Sequence, residues 1–357
     1  MKETYILFIT ILFVAGCSSR NEQTLQCNEV NYVQEFPREV NLEETKPLPL
    51  NLIGCVDMNP ADSLLIFKVD EGEYFWKIYS LNSNSFIADM LPRGHGNMEF
   101  VSLPHSESII PTDSALYYDF CDDARQTLFR CDLTRTLQQG RLALEPKFNY
   151  KKYEGAYPAV SLSDTSVYIK ENVGSDGYIR FMLVNGERQD FACIGNLNTV
   201  HVKENINTLS AVTSINRKRM MAVEAMLRMN QINVYSLQSD SSFTICVGEE
   251  LDDVNEVDGL SKRMRRKYYG SVVTYDNYFV ALYQGTSMSD YIQGKGKSSL
   301  QFFDWKGNPL LCIKLPMVAT SFYIKDNSDL YVFSSMEAEE ALYKYDCTEL
   351  LKSIADV

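Results

Sequence analysis

Short apolar and aromatic runs alternate with clusters of Asn, Asp, Gly and Ser along most of this chain. Ser63–Val69, Tyr74–Tyr79, Ala115–Phe120 and Thr127–Cys131 open the series. Ser166–Lys170, Tyr178–Leu183, Gln231–Tyr235, Tyr278–Tyr283, Ser299–Phe303 and Leu330–Phe333 continue it. Runs of this length, rich in β-branched and aromatic residues and bounded by turn formers, predict antiparallel hairpins. One stretch pulls the other way. Arg219–Arg228 consists largely of good helix formers. It follows a turn at Asn216–Lys218 and precedes a strand at Gln231–Leu237, so it is assigned as a strand, since pairing overrides propensity.

The runs repeat a theme. Ser63-Leu-Leu-Ile-Phe67 with Ile78-Tyr-Ser-Leu81, Ala115-Leu-Tyr-Tyr118 with Leu128–Leu133, and Asp329–Phe333 with Leu342–Asp346 are weak copies of one unit. About 310 residues at roughly 50 per repeat make six units, as in a propeller. Each blade of a propeller buries both faces against its neighbours and leaves only short edges. The predicted fold is therefore all-β, a six-bladed β-propeller over residues 46–357 closed by an N-terminal strand. Leu48–Ile53 is the expected closing segment, paired with Ala341–Asp346, because its flanking prolines suit an outer edge. On this reading, removal of residues 18–40 leaves stability nearly unchanged, and removal through residue 54 lowers it.

Residues 1–17 carry a different pattern. Lys2 precedes a continuous apolar run, Tyr5–Val14, which ends in Ala15-Gly16-Cys17. That order is a secretory signal. The run has about half the ~20 apolar residues that a membrane-spanning helix needs. The small residues before Cys17 resemble the lipobox of bacterial lipoproteins. The resemblance implies that Cys17 is acylated and holds the protein on a lipid bilayer. It also implies sorting to the outer membrane through Ser18 and Ser19. The stretch Arg20–Gln23 has no strong acidic run, which favours the periplasmic face over the cell surface. Residues 18–45 are polar and read as a tether.

Hydrophobic residues make up 45% of the chain, enough for a packed domain, and the net charge is −13. Such a charge repels nucleic acid and anionic head groups, so no nucleic-acid partner is expected and membrane contact is assigned to the lipid rather than to a basic patch. Nine cysteines are present, eight without Cys17. Their spacing is irregular and contains no C-x-x-C. Cys121 and Cys131 flank a hairpin turn, but buried free thiols are the simpler reading.

Three further segments carry a family resemblance. Arg93-Gly-His-Gly-Asn-Met-Glu-Phe100 is similar to a G-x-G-P-x-E-F loop, with Asn97 where proline is common. Lys267–Gly285 is the second. Leu300–Pro309 together with Tyr343–Asp346 is the third. With the lipobox they resemble the TolB-like six-bladed propeller lipoproteins of Bacteroides and its relatives. The resemblance implies a fold and an anchor, and it implies no catalytic residues.

The chain has no G-x-S-x-G elbow and no S-x-x-K, so no catalytic residue is assigned. His95, His105 and His201 do not have metal-ligand spacing, and neither a metal nor a cofactor is expected. The sharpest polar constellation is the Arg93–Phe100 loop, with Arg93, His95, Asn97 and Glu99 as candidate binding residues. Its competing reading is a connection between blades, with Glu99 bonding local amides and Phe100 plugging the joint. Glu249–Asp258 is acidic and Lys262–Lys267 basic, and the pair reads as a solvated loop. The function expected is a non-catalytic binding or scaffold lipoprotein of the cell envelope, with a protein or glycan ligand at an axial mouth of the ring. The alternative is an envelope glycan or peptide hydrolase or lyase using carboxylates in the channel.

Overall fold

Six small sheets follow one another along the chain in the computed structural model. It describes residues 25–355 except 28, 113–114, 154, 175–176, 192–196, 198–201, 203–205 and 337–339. Two short strands come first, β1 (Val30–Val33) and β2 (Glu39–Asn41). Blade 1 holds β3 (Cys55–Ala61), β4 (Leu64–Val69), β5 (Tyr74–Ser80) and β6 (Ser85–Pro92). Blade 2 holds β7 (His105–Pro111), β8 (Leu116–Asp122), β9 (Thr127–Asp132) and β10 (Leu144–Asn149). Blade 3 holds β11 (Ala156–Ser161), β12 (Ser166–Asn172), β13 (Tyr178–Val184) and β14 (Glu187–Asp190). Blade 4 holds β15 (Ala211–Asn216), β16 (Met221–Met226), β17 (Gln231–Ser236) and β18 (Ser242–Val247). Blade 5 holds β19 (Arg266–Thr274), β20 (Tyr278–Ser287), β21 (Ser299–Asp304) and β22 (Pro309–Lys314). Blade 6 has only β23 (Ser321–Lys325), β24 (Asp329–Ser334) and β25 (Ala341–Asp346). The six sheets form a six-bladed β-propeller.

Within each blade the strands run up and down, joined mostly by tight turns, with a short helix between β9 and β10 (Leu133–Gln139) and another between β20 and β21 (Met288–Ile292). Asn185 (φ 51°) and Gly186 (φ 83°) make the turn between β13 and β14, where both central residues need a positive φ. The helix-prone stretch is a strand, β16, paired on both sides by β15 and β17. Four of its six residues, Ala222, Val223, Ala225 and Met226, are buried apolar positions spread over both sheet faces. Burial on two faces removes the alternation that marks a half-exposed strand.

The core is six clusters, one per seam between blades. Trp76 of blade 1 meets Tyr118 and Phe120 of blade 2 edge-on, with centroids 5.3 and 5.0 Å away. Blades 3 and 4 share a buried ionic knot. Glu224 accepts from Arg180 Nε at 2.8 Å, Arg180 Nη2 at 2.7 Å and Lys170 Nζ at 3.2 Å, and from the hydroxyls of Tyr168 at 3.1 Å and Tyr235 at 2.9 Å. All five residues are buried.

Two expectations need correction here. Residues 18–45 are not a tether throughout. β1 pairs in parallel with β18, on the outer edge of blade 4, and β2 pairs in parallel with β22, on the outer edge of blade 5. Leu25 and Cys27 enter the seam between blades 3 and 4. Val33 and Phe36 enter the next, Val40 and Leu42 the one between blades 5 and 6, and Leu48, Leu50 and Leu52 the one between blades 6 and 1. The segment is a strap over four seams, and its polar look comes from apolar residues spaced one or two per seam. The second correction concerns closure. Leu48 N donates to Leu342 O at 2.7 Å, on the outer side of β25, but no ladder runs over Leu48–Ile53. Pro47 and Pro49 offer no N–H to extend it.

The seven described cysteines other than Cys17 and Cys193 are free and buried. Cys121 Sγ contacts Ala159 O at 3.3 Å, and Cys131 Sγ contacts Thr136 Oγ1 at 3.4 Å. Each faces its own seam, so Cys121 and Cys131 do not meet. Cys17, Cys193 and His201 lie outside the described residues.

Candidate functional site

The innermost strands β3, β7, β11, β15, β19 and β23 surround a central channel with a cavity of about 420 Å³. These strands are rich in small polar residues where the middle strands are apolar. Asn59, Ser106, Ser108, Thr213, Ser214, Ser271 and Ser321 all line it. Some of them pair within the protein: Ser321 Oγ accepts from Met58 N at 3.2 Å, and Ser214 Oγ lies 3.2 Å from Thr274 Oγ1.

Charge enters the channel at Arg217 and at a cluster shared by blades 1 and 2. Lys68 Nζ, reaching in from β4, lies 2.8 Å from Asp57 Oδ2 and 2.9 Å from Glu107 Oε2. It ties blade 1 to blade 2. Burial pushes the Glu107 carboxyl up, opposed by the Lys68 charge. Burial acts to discharge Lys68, but Asp57 and Glu107 outweigh it and hold the ammonium above its ordinary pKa. One carboxylate oxygen stays unused: Glu107 Oε1 is buried with no hydrogen-bond partner. Ser108 Oγ, Thr213 Oγ1 and Arg217 Nη2 are in the same condition. Arg217 spends its other donors on Ser161 O at 2.7 Å and Ile109 O at 3.1 Å. Asn59 Nδ2 and Tyr118 OH on the same channel make six such atoms among the described residues. A buried polar atom without a partner costs about 1–3 kcal/mol, so they mark a place where something else supplies the hydrogen bonds.

At the edge of the channel a bulge between His105 and Ser108 turns the chain, and Ser106 takes a φ of 54°. His105 Nδ1 lies 2.8 Å from Ser106 Oγ, and Nε2 lies 2.6 Å from Asp123 Oδ1. That hydrogen bond to His105 depresses the Asp123 pKa against the effect of burial. The imidazole packs on Tyr157, with ring centroids 4.6 Å apart, and Tyr157 is 54% exposed. The result is a hydroxyl, an imidazole and a carboxylate in line beside an open aromatic face.

The Arg93–Phe100 loop is built differently. Arg93 Nη2 donates to Val69 O at 2.5 Å, and its guanidinium lies over Phe75 at 3.8 Å. Glu99 Oε2 accepts from Gly96 N at 2.8 Å. A Cβ on Gly94, whose φ is 149°, would stand 2.0 Å from that oxygen. Arg125 Nη2 donates to Glu99 O at 2.6 Å, and Phe100 is buried in the seam between blades 1 and 2. Arg93 and Glu99 thus clasp the connection between two blades. His95 and Asn97 are exposed, and none of the four residues lines the channel.

Sequence reasoning did not single out Lys68, Glu107, Ser108, Thr213 or Arg217. In blades 2 and 4 the first strand carries more Ser, Thr and Asn than the two that follow, but the other four blades do not share the pattern, so the sequence offers no consistent signal. No group of His, Cys, Asp or Glu that could hold a metal occurs among the described residues. None of their helices is long and apolar enough to cross a membrane.

The model of the TolB-like 6-blade propeller-like family matches residues 55–327. Among solved structures, a DUF4221-family member from Bacteroides vulgatus superposes with a TM-score of 0.52. It has 10% identity and covers 84% of this chain and 96% of its own. A protein described as exported, from Bacteroides fragilis, has a TM-score of 0.49 and 10% identity, covering 89% of this chain and 98% of its own. Regucalcin from Agrobacterium tumefaciens, described as calcium-binding, has a TM-score of 0.46 and 10% identity, covering 86% and 94%. At such identities the likeness concerns the fold alone. No curated protein matches the chain.

Proposed function

Since the chain belongs to the TolB-like six-bladed propeller family, we propose that it is a lipoprotein of the cell envelope that binds a hydroxyl-rich ligand, a glycan or a glycan-linked peptide, in the propeller channel. The observation that carries this reading is the set of unpaired buried groups on Glu107, Ser108, Thr213 and Arg217. They offer acceptors and a donor together, as a sugar ring requires. Tyr157 supplies an exposed ring on which a sugar face stacks. Lys68 pairs with both Asp57 and Glu107, which favours holding a neutral ligand over proton transfer.

Calorimetric titration with soluble peptidoglycan fragments and neutral oligosaccharides tests the channel. Glu107→Gln and Arg217→Gln should each weaken binding by about tenfold or more, because a hydrogen bond to a charged group contributes roughly 1.5–3 kcal/mol. Equal affinity in both variants, or no saturable binding by any of these ligands, rules the reading out. Turnover of the bound glycan would instead transfer the site to the hydrolase alternative, with Asp57 and Glu107 or the line Ser106–His105–Asp123 as its chemistry.

The anchor is a separate part of the proposal. It rests on the signal that ends in Ala15-Gly16-Cys17. Cys17→Ser should abolish incorporation of labelled fatty acid and release the protein from the outer-membrane fraction. A variant that fractionates as the parent does would show that Cys17 is not the anchor.

A further inference from the structure

The loop that leads from blade 4 into blade 5 shapes a second cavity, of about 740 Å³, whose lining residues are not those of the channel. Arg228, Lys262, Arg263 and Arg265 line it, and among the described residues no carboxylate does. In a chain of net charge −13 this is a local reversal of sign. Arg265 is the inner strut. It donates to Leu260 O at 2.9 Å, Thr208 Oγ1 at 3.0 Å and Asp258 O at 2.6 Å, and so fixes the loop. The other three cations make no ion pair among the described residues. Arg228 reaches only Met288 Sδ, at 3.2 Å. Nearby, burial and then the Arg228 charge bring the Lys267 pKa down to about 8, with the Lys267 ammonium 3.9 Å from the centroid of the Tyr291 ring. Apolar side chains stand out around the same place: Leu260 is 42% exposed, and Met264 and Ile292 are each 67% exposed.

The path of the chain decides what such a surface faces. Leu25 is buried at the start of the strap, and Gln26 lines a cavity together with Arg228, Leu260 and Met264. From Leu25 back to Cys17 the chain can extend at most about 28 Å. An acyl group on Cys17 therefore keeps Leu25, and with it the start of the strap beside the neighbouring cavity, within that reach of a bilayer. The acids closest to it are partly committed elsewhere. Asp253 caps the helix Val254–Gly259 through Asn255 N and Glu256 N, and Asp252 accepts from Asn230 N at 2.9 Å. Glu250, Asp252, Asp253 and Glu256 line the neighbouring cavity, which Arg228 lines as well, so Lys262 and Arg263 are the cations that line the cationic cavity alone.

We infer that Arg228, Lys262 and Arg263 hold the phosphates of an anionic phospholipid surface, while Met264 and Ile292 dip into the boundary between head groups and acyl chains. The inference rests on the anchored lipoprotein proposed above. It revises the expectation that the lipid alone makes membrane contact. The patch adds a second attachment that orients the ring on the bilayer, where the acyl chains merely retain it.

The test uses the unacylated chain from Ser18 onward, so that no lipid contributes. It is sedimented with vesicles of phosphatidylcholine, with and without phosphatidylglycerol. Binding should appear only with phosphatidylglycerol and fade as salt rises. Neutralising one surface cation should weaken it about fivefold, so Lys262→Gln with Arg263→Gln together should cost roughly 25-fold. Met264→Ser with Ile292→Ser should weaken it further, whereas Lys151→Gln with Lys152→Gln, on exposed residues of another blade connection, should not. All these positions are exposed, and unchanged melting curves will show that the variants fold. Equal binding to both kinds of vesicle, no binding to either, or an unaltered affinity in the Lys262/Arg263 variant would overturn the inference. Fractionation of Cys17→Ser reads the anchor alone, so failure of the patch and failure of the anchor are told apart.

Discussion

A chain that begins at Leu42 should melt at least about 10 °C below one that begins at Leu25. The shorter chain lacks β1, β2 and the apolar residues that the strap sends into successive seams. Leu25, Cys27 and Val33 are all less than 5% exposed, and Phe36 meets Phe303 with centroids 5.5 Å apart. Each fully buried side chain of this kind is worth about 1.5–3 kcal/mol before ordering costs. The cut also uncovers the outer edges of blades 4 and 5, where unpaired strand groups invite aggregation. A net loss of about 4 kcal/mol, at roughly 2–4 °C per kcal/mol, gives the stated shift. By contrast, chains that begin at Ser18 and at Leu25 should melt together. Thermal melts of the three proteins decide the matter. Were the chain from Leu42 as stable as the chain from Leu25, the strap would have no part in holding the ring.

Glu224→Gln should be nearly as damaging. The substitution preserves shape but leaves Arg180 and Lys170 as buried cations with no carboxylate. Breaking a buried pair on one side costs about 3–5 kcal/mol, or roughly 6–15 °C in melting temperature. The pH dependence has a definite sign. Burial alone would raise the Glu224 pKa, but Arg180 and Lys170 outweigh it and hold the carboxyl well below the usual carboxylate range. A folded-state value below the unfolded value of about 4.3 contributes stability at higher pH and loses it as pH falls. The gap between parent and variant should therefore be full at neutral pH and shrink below about pH 4. Replacing the group by Lys170→Met, Arg180→Met and Glu224→Leu together should cost less than Glu224→Gln alone, because no charge is then left unpaired. A gap that stays constant down to pH 3 would separate the knot from the stability of the ring.

Much of the blade structure was readable along the chain because hairpins are local. Tyr178–Leu183 and the Asn185-Gly186 turn carry their strand and turn chemistry within a few residues. Even Arg219–Arg228 was readable as a strand, though only from the turn before it and the strand after it. The candidate site was much harder to read. Glu107 and Arg217 sit 110 positions apart and become neighbours of one channel only when the ring closes. The Arg93–Phe100 loop attracted attention through its glycines and charges. Those residues serve the local geometry of a clasp, in which Glu99 fills the space that a side chain at position 94 would need.

The strap shows where the boundary falls. Strand positions, turn types and the number of blades follow from alternation and turn formers, which act over a few residues and leave a pattern in the sequence. Val33, Val40 and Leu48 are separated by polar stretches, and no local period links them. Each is apolar because a different seam receives it, and seams exist only after six sheets have packed. The same holds for Lys68, one more lysine along β4 until blade 2 brings Glu107 beside it. The sequence by itself determined the blades. The tertiary structure alone decided which polar atoms share the channel, which charges are buried together, and which seams the N-terminal segment fills, because those depend on contacts between residues far apart in the chain.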